Sequence, residues 1–83
     1  MEQQIGQMDN IVNSLAEIQE DNTVPRNVRL QISHVISMLK KEDELSTRVN
    51  KAISKLDELA NDVNLQSYTR TQIWNAMSVL EKL

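Results

Sequence analysis

Shifted by 41 residues, this 83-residue chain overlays itself without a gap. Between Leu15–Lys41 and Leu56–Lys82 the identical pairs are Leu15/Leu56, Glu17/Glu58, Asp21/Asp62, Arg29/Arg70, Gln31/Gln72, Ile32/Ile73, Ser37/Ser78, Leu39/Leu80 and Lys41/Lys82. That is nine of 27 positions, where roughly two are expected from average residue usage. Such a chain is constrained to fold as two copies of one supersecondary unit packed on each other, because one copy alone is too short to enclose a core. The expected organisation is a single domain with repeat 1 over about 1–41 and repeat 2 over about 42–83.

Each repeat has the pattern of a helical hairpin. Ile5, Met8, Val12, Leu15 and Ile18 recur at spacings of three and four, which places them on one stripe of a helix. Asp21-Asn22-Thr23-Val24-Pro25 then combines turn and cap residues with a proline suited only to the first turn of a new helix, so the first helix is expected to stop near Glu20. Val28, Ile32, Val35, Ile36 and Leu39 form the stripe of a second helix ending about Lys41. The pattern recurs with Val49, Ile53, Leu56 and Leu59, a turn at Asp62-Val63-Asn64, and Ile73, Ala76, Met77 and Leu80. One Gly, one Pro and 2% aromatic residues leave too few turn and strand formers for a sandwich or barrel. The predicted fold is all-α, an up-down-up-down four-helix bundle built from two repeated hairpins. Met8, Met38 and Met77 are expected to fill gaps on or beside the stripes.

The segment joining the repeats, Lys40-Lys41-Glu42-Asp43-Glu44, contains neither Gly nor Pro, so one continuous helix from Pro25 to Ala60 also satisfies the spacing. That helix would place Glu42 and Ser46 on its inner stripe and would need a domain-swapped dimer to cover its apolar face. A break at residues 41–44 avoids both and is the expected arrangement.

The corner segments Asp21-Asn22-Thr23-Val24-Pro25-Arg26-Asn27-Val28-Arg29 and Tyr68-Thr69-Arg70-Thr71-Gln72-Ile73-Trp74, with Leu56-Asp57-Glu58 between them, resemble an uncharacterised family of short archaeal helical proteins. The resemblance covers nearly the whole chain. Where that family carries Asp-Pro-Asn-Met-Pro at its second corner, this chain has Asp62-Val63-Asn64-Leu65-Gln66, so the second turn is expected to be looser. The resemblance implies an archaeal source and a small helical bundle, and it brings no activity with it.

Two features carry the functional expectations. The first is the doubled pair Asp21 with Arg29 and Asp62 with Arg70, each spanning eight residues across a turn. The acids lie at the ends of helices and the arginines at the starts, against the preference of the helix dipole. Their structural role would be an ion pair, or an aspartate cap on the following helix, clamping each hairpin. Their functional role would be an anion site, because in this topology Arg26, Arg29 and Arg70 gather at one end beside two helix N-termini, where an RNA backbone or an acidic protein tail could bind. The second feature is Trp74, at the edge of its stripe and opposite Ser33 in the repeat, either a boundary residue or an anchor for a partner or a second copy.

Other function classes are expected to be excluded. Zero Cys rules out disulfide and Cys-zinc frameworks, and His34 is a lone flank histidine. No Glu-x-x-His pair, Gly-rich phosphate loop or nucleophile elbow occurs, so no catalytic residue, cofactor or metal site is predicted and the chain is expected not to be an enzyme. A net charge of −3 and a pI near 5.0 disfavour general binding to nucleic acid or anionic membranes. The N-terminal sequence lacks a signal peptide and no apolar run reaches membrane length, so a cytoplasmic protein is expected. The leading expectation is a protein-binding or self-associating module, with an accessory ribonucleoprotein component using Arg26, Arg29 and Arg70 as the alternative.

Overall fold

The computed structural model describes residues 2–83, with side chains from Gly6 onward. The stripe position assigned to Ile5 therefore lies outside the described side chains. Among the described residues there are four helices and no strand: α1 (Glu2–Glu20), α2 (Arg26–Lys40), α3 (Leu45–Ala60) and α4 (Ser67–Glu81). Each helix packs on two neighbours, α1 on α2 and α4, α3 on α2 and α4, which is the square cross-section of an antiparallel bundle. The molecule measures 36 × 18 × 18 Å, and the up-down-up-down order sets the α1–α2 and α3–α4 corners at the same end. The chain breaks between α2 and α3 at Lys41–Glu44, so the continuous helix is not formed.

The core follows the repeat. Ile11, Leu15, Ile18, Val24, Val28, Ile32, Val35 and Leu39 are buried, and so are Ala52, Leu56, Leu59, Leu65, Thr69, Ile73, Ala76 and Leu80, each 41 residues later. Both sets run along their helices at spacings of three and four, so one narrow face of each helix enters the centre.

The centre of the stripe differs from the expected one in places. Val12 and Ile53, placed on the inner stripe, are half-buried at its edge, as are Ile36 and Met77. Ile11 and Ala52 take the central place instead. Both phases satisfy the spacing in α1 and α3, so spacing alone does not choose between them. Val24 and Leu65, in the corners, are also buried and close one end of the core.

Candidate functional site

The two corners are built alike. Oδ1 of Asp21 accepts the backbone N–H of Thr23 at 2.9 Å, and Oδ1 of Asp62 accepts that of Asn64 at 2.9 Å. The carbonyl of Asp21 accepts the N–H of Val24, and that of Asp62 the N–H of Leu65, both at 3.1 Å. The aspartate side chain thus fixes a turn that drives the next apolar residue into the end of the core. Thr23 adds a second bond to Asp21, its hydroxyl donating to the same oxygen at 2.6 Å. The Asp21 carboxyl is held below its ordinary value of 3.8, chiefly by the Thr23 hydroxyl, then by the Thr23 amide. Burial opposes the shift, and the Arg29 charge assists it least of all.

Neither form of clamp expected for these pairs is adopted. Among the described residues the sole ion pair is Lys55–Glu58, at 3.4 Å, and the N-caps Pro25 and Gln66 receive no side-chain hydrogen bond. The arginines bind carbonyl groups instead. Arg29 donates from Nε to the Val24 carbonyl at 3.1 Å. Arg70 donates from Nε to Ala60 at 2.8 Å and from one terminal nitrogen to Asp62 at 2.9 Å and Leu65 at 3.2 Å. At the second corner the apparent conflict with the helix dipole is relieved: Arg70 lies in the first turn of α4, but its guanidinium reaches the Ala60 carbonyl at the C-terminus of α3, where positive charge is favoured. The second corner, expected to be looser for want of prolines, is the more heavily bonded of the two.

A third arginine does the same work and escapes the repeat. Arg48 donates from Nη1 to the Leu39 carbonyl at 3.0 Å, tying the start of α3 to the end of α2, while its Nε is buried with no partner among the described residues. Arg29, Arg48 and Arg70 are each the fourth residue of their helix, with backbone N–H groups bonded to the carbonyls of Pro25, Glu44 and Gln66, all at 3.0 Å. Aligning the helix starts rather than the repeats exposes this common position. Of the three arginines considered for an anion site, two have guanidinium groups engaged with backbone, and Arg26 alone is exposed.

The outer face of α4 is a different kind of surface. Ser67, Tyr68, Thr71, Trp74, Asn75 and Ser78 are exposed and uncharged, and the exposed Glu81 ends the helix. Tyr68 is 65% and Trp74 53% exposed, and Val63 in the preceding corner is 90% exposed. Their counterparts 41 residues earlier are Asn27, Ser33 and Asn22, so the second hairpin displays apolar groups where the first is polar. Ser33 accepts a hydrogen bond from Nε2 of Gln19 across α1 and α2, and the equivalent pair in the second hairpin is Ala60 with Trp74. The trade is of a polar bridge for an apolar body.

Beside this face a groove of about 330 Å³ runs between α1 and α4, floored by Ile11, Ala76 and Val79. Amides and hydroxyls of Gln7, Asn10, Ser14, Gln72 and Asn75 line it, and Glu17 is its one titratable side chain. His34 is exposed on α2, and among the described residues no three His, Asp or Glu side chains converge as a metal-binding group. No described helix is long and apolar enough to cross a membrane.

Comparison with known proteins follows the same outline. The sequence model of a family described as "Uncharacterised protein family (UPF0147)" matches residues 1–83. A UPF0147 protein of Archaeoglobus fulgidus is 40% identical over 76 residues, covering 92% of this chain and 87% of that one. The UPF0147 protein MJ1419 of Methanocaldococcus jannaschii is 44% identical over 70 residues, covering 83% and 75%. A crystal structure of a protein of unknown function, MMP1188, superposes with a TM-score of 0.87 at 42% identity, covering 93% of this chain and 89% of that one.

Proposed function

Because this chain belongs to UPF0147, an uncharacterised family with archaeal members, we propose its function from its own surface: it is a non-enzymatic module that binds another protein through the outer face of α4. The observation that carries this reading is the charge-free run of exposed residues from Ser67 to Ser78, with Tyr68 and Trp74 on it, in a chain that is 25% charged. Charge depletion with Tyr and Trp enrichment is the composition of interface centres, and a half-exposed Trp is the side chain most often found as an anchor. The groove between α1 and α4 supports a binding role, because amides and hydroxyls with a single carboxylate rim an apolar floor of Ile11, Ala76 and Val79.

The alternative, an accessory RNA-binding component using Arg26, Arg29 and Arg70, loses support because Arg29 and Arg70 already donate to backbone carbonyls. Phosphate binding there would compete with the bonds that hold the corners.

The test is affinity capture with the folded chain in archaeal extract, with and without ribonuclease, comparing wild type with Trp74→Glu and, as a control, Leu30→Glu on the exposed side of α2. A protein retained after ribonuclease and in high salt, lost with Trp74→Glu and kept with Leu30→Glu, is the expected result. Capture that vanishes with ribonuclease, or that Arg26→Glu abolishes and Trp74→Glu does not, would refute it.

A further inference from the structure

The joint between the two hairpins is made of residues that can continue a helix. Lys41, Glu42, Asp43 and Glu44 are all exposed, and the chain from Arg26 to Ala60 contains neither Gly nor Pro. Lys41 leaves α2 at φ −70°, ψ 146°, and Glu44 enters α3 at φ −60°, ψ 140°. Both φ values already suit a helix, so at these two residues rotation about ψ alone straightens the joint. Leu39, Glu42, Ser46 and Val49 keep the three-and-four spacing across it, so α2 and α3 fused end to end still share one inner stripe. We propose that this joint is a hinge, and that when it opens two copies of the chain exchange hairpins, each fused helix running from α2 of one bundle into α3 of a second.

A second copy is selected as the partner because it carries the faces that the closed bundle already buries. The seams between hairpins, α2 on α3 and α1 on α4, are rebuilt with the same residues, the first hairpin of one copy on the second hairpin of the other, so the core is conserved. Glu42 and Ser46, out of place on the stripe of one long bundle, fall here between two bundles, where the stripe has no core to enter. The hinge alone then decides the balance. Closed, it is held by the bond from Nη1 of Arg48 to the Leu39 carbonyl at 3.0 Å and by Oδ1 of Asp43 accepting the N–H of Glu44 at 2.9 Å. Open, the carbonyls of Met38, Leu39, Lys40 and Lys41 receive the N–H groups of Glu42, Asp43, Glu44 and Leu45 as in any helix, and Arg48 returns to water. Arg48 is therefore the latch. Tethering favours the closed form in dilute solution, and mass action favours exchange as concentration rises. The inference is independent of the reading of α4.

The chain has no cysteine, so Asn27→Cys and Asp57→Cys, at exposed positions on α2 and α3 near the corner end, take spin labels at those two sites alone. In the closed bundle the labels of one chain ride on adjacent helices, under about 25 Å apart. A fused helix separates them by about 45 Å, the length of the 30 residues between. The labelled chain is diluted into an excess of unlabelled chain, refolded from urea at about 5 µM or about 1 mM, and examined by double electron–electron resonance and sedimentation equilibrium. The expected result is a monomer with the short distance at the lower concentration, and a dimer with the long one at the higher. Arg48→Met should raise the dimerisation constant about tenfold or more, because each dimer opens two latches. Glu42→Pro should abolish the dimer, since Lys41 already has the extended ψ that precedes a proline while a proline at 42 bars the fused helix. Circular dichroism checks that each variant is folded. Wild type and Arg48→Met both monomeric with the short distance at the higher concentration overturn the proposal, as does a dimer that keeps the short distance or that survives Glu42→Pro.

Discussion

Replacing Arg70 with Met keeps the aliphatic stem and removes the guanidinium, which isolates the corner bonds from packing. Three bonds are lost, to the carbonyls of Ala60, Asp62 and Leu65 at 2.8, 2.9 and 3.2 Å. A buried hydrogen bond with a charged donor contributes about 1.5–3 kcal/mol, but this side chain is half-buried and water can reach part of the corner, so about 1 kcal/mol for each is the fitting magnitude. Arg70→Met should therefore cost about 2–3 kcal/mol, and Arg29→Met, losing one bond at 3.1 Å, about 1 kcal/mol. In a domain of this size those losses correspond to melting-point drops of roughly 10–20 °C and 4–8 °C. Urea unfolding followed by circular dichroism measures both, with an unchanged m-value showing that only stability moved. Arg70→Lys should recover less than half of the loss, since an ammonium group cannot reach three carbonyls arrayed around a planar fork. Equal losses at Arg29 and Arg70, or full recovery by Lys, would mean that the corner bonds do not hold the hairpin in the way described.

Three further outcomes follow from the same structure. Leu39→Ala or Ile32→Ala should cost about 2–5 kcal/mol by chemical denaturation, whereas Ile53→Ala, at the edge of the core, should cost clearly less than Leu56→Ala. Because the Asp21 carboxyl is held below its ordinary 3.8, its contribution to stability is complete above that pH and disappears as pH falls through the lower folded value. Thr23→Ala should move the Asp21 titration back toward 3.8, seen in the carboxyl carbon shift by nuclear magnetic resonance, and an unmoved titration would reject the Thr23 hydroxyl as its main cause. Gln66 sits at an N-cap with extended backbone and no capping bond, so Gln66→Asp should stabilise the chain by about 0.5–1 kcal/mol in the same denaturation assay.

The bundle was legible because the repeat and the three-and-four spacing are independent signals that agree. Identical residues at Leu15/Leu56, Ile32/Ile73 and Leu39/Leu80 are all fully or almost fully buried. The exact phase of α1 and α3 was not legible, because adjacent apolar residues at Ile11-Val12 and Ala52-Ile53 both fit a helical stripe, and hydrophobicity alone favours the larger Ile53 over Ala52. The choice belongs to the packing of each helix against its neighbours, which spacing along one helix does not carry.

The Asp–Arg motif was visible, and its chemistry was not. Opposite charges eight residues apart suggest an ion pair, but the corner presents backbone carbonyls nearer to the guanidinium than the carboxylate is, and the carboxylate is already engaged by an amide two residues on. Arg48 was missed because position seven, its counterpart in the repeat, is Gln7. The face of α4 was half legible. Trp74 stood out as a residue, but the absence of charge around it becomes meaningful only once Thr71, Asn75 and Ser78 are known to share its exposed side.

Amide chemical shifts of the isotope-labelled chain, followed first on adding the protein captured from extract and then on adding a short single-stranded RNA in low salt, set the neutral helix face directly against the arginine corner. Shifts at Tyr68, Thr71, Trp74 and Asn75 with the captured protein, with Arg26, Arg29 and Arg70 unmoved by RNA, are the predicted result. Shifts confined to Arg26, Arg29 and Arg70 on adding RNA, with α4 silent toward the captured protein, would contradict it.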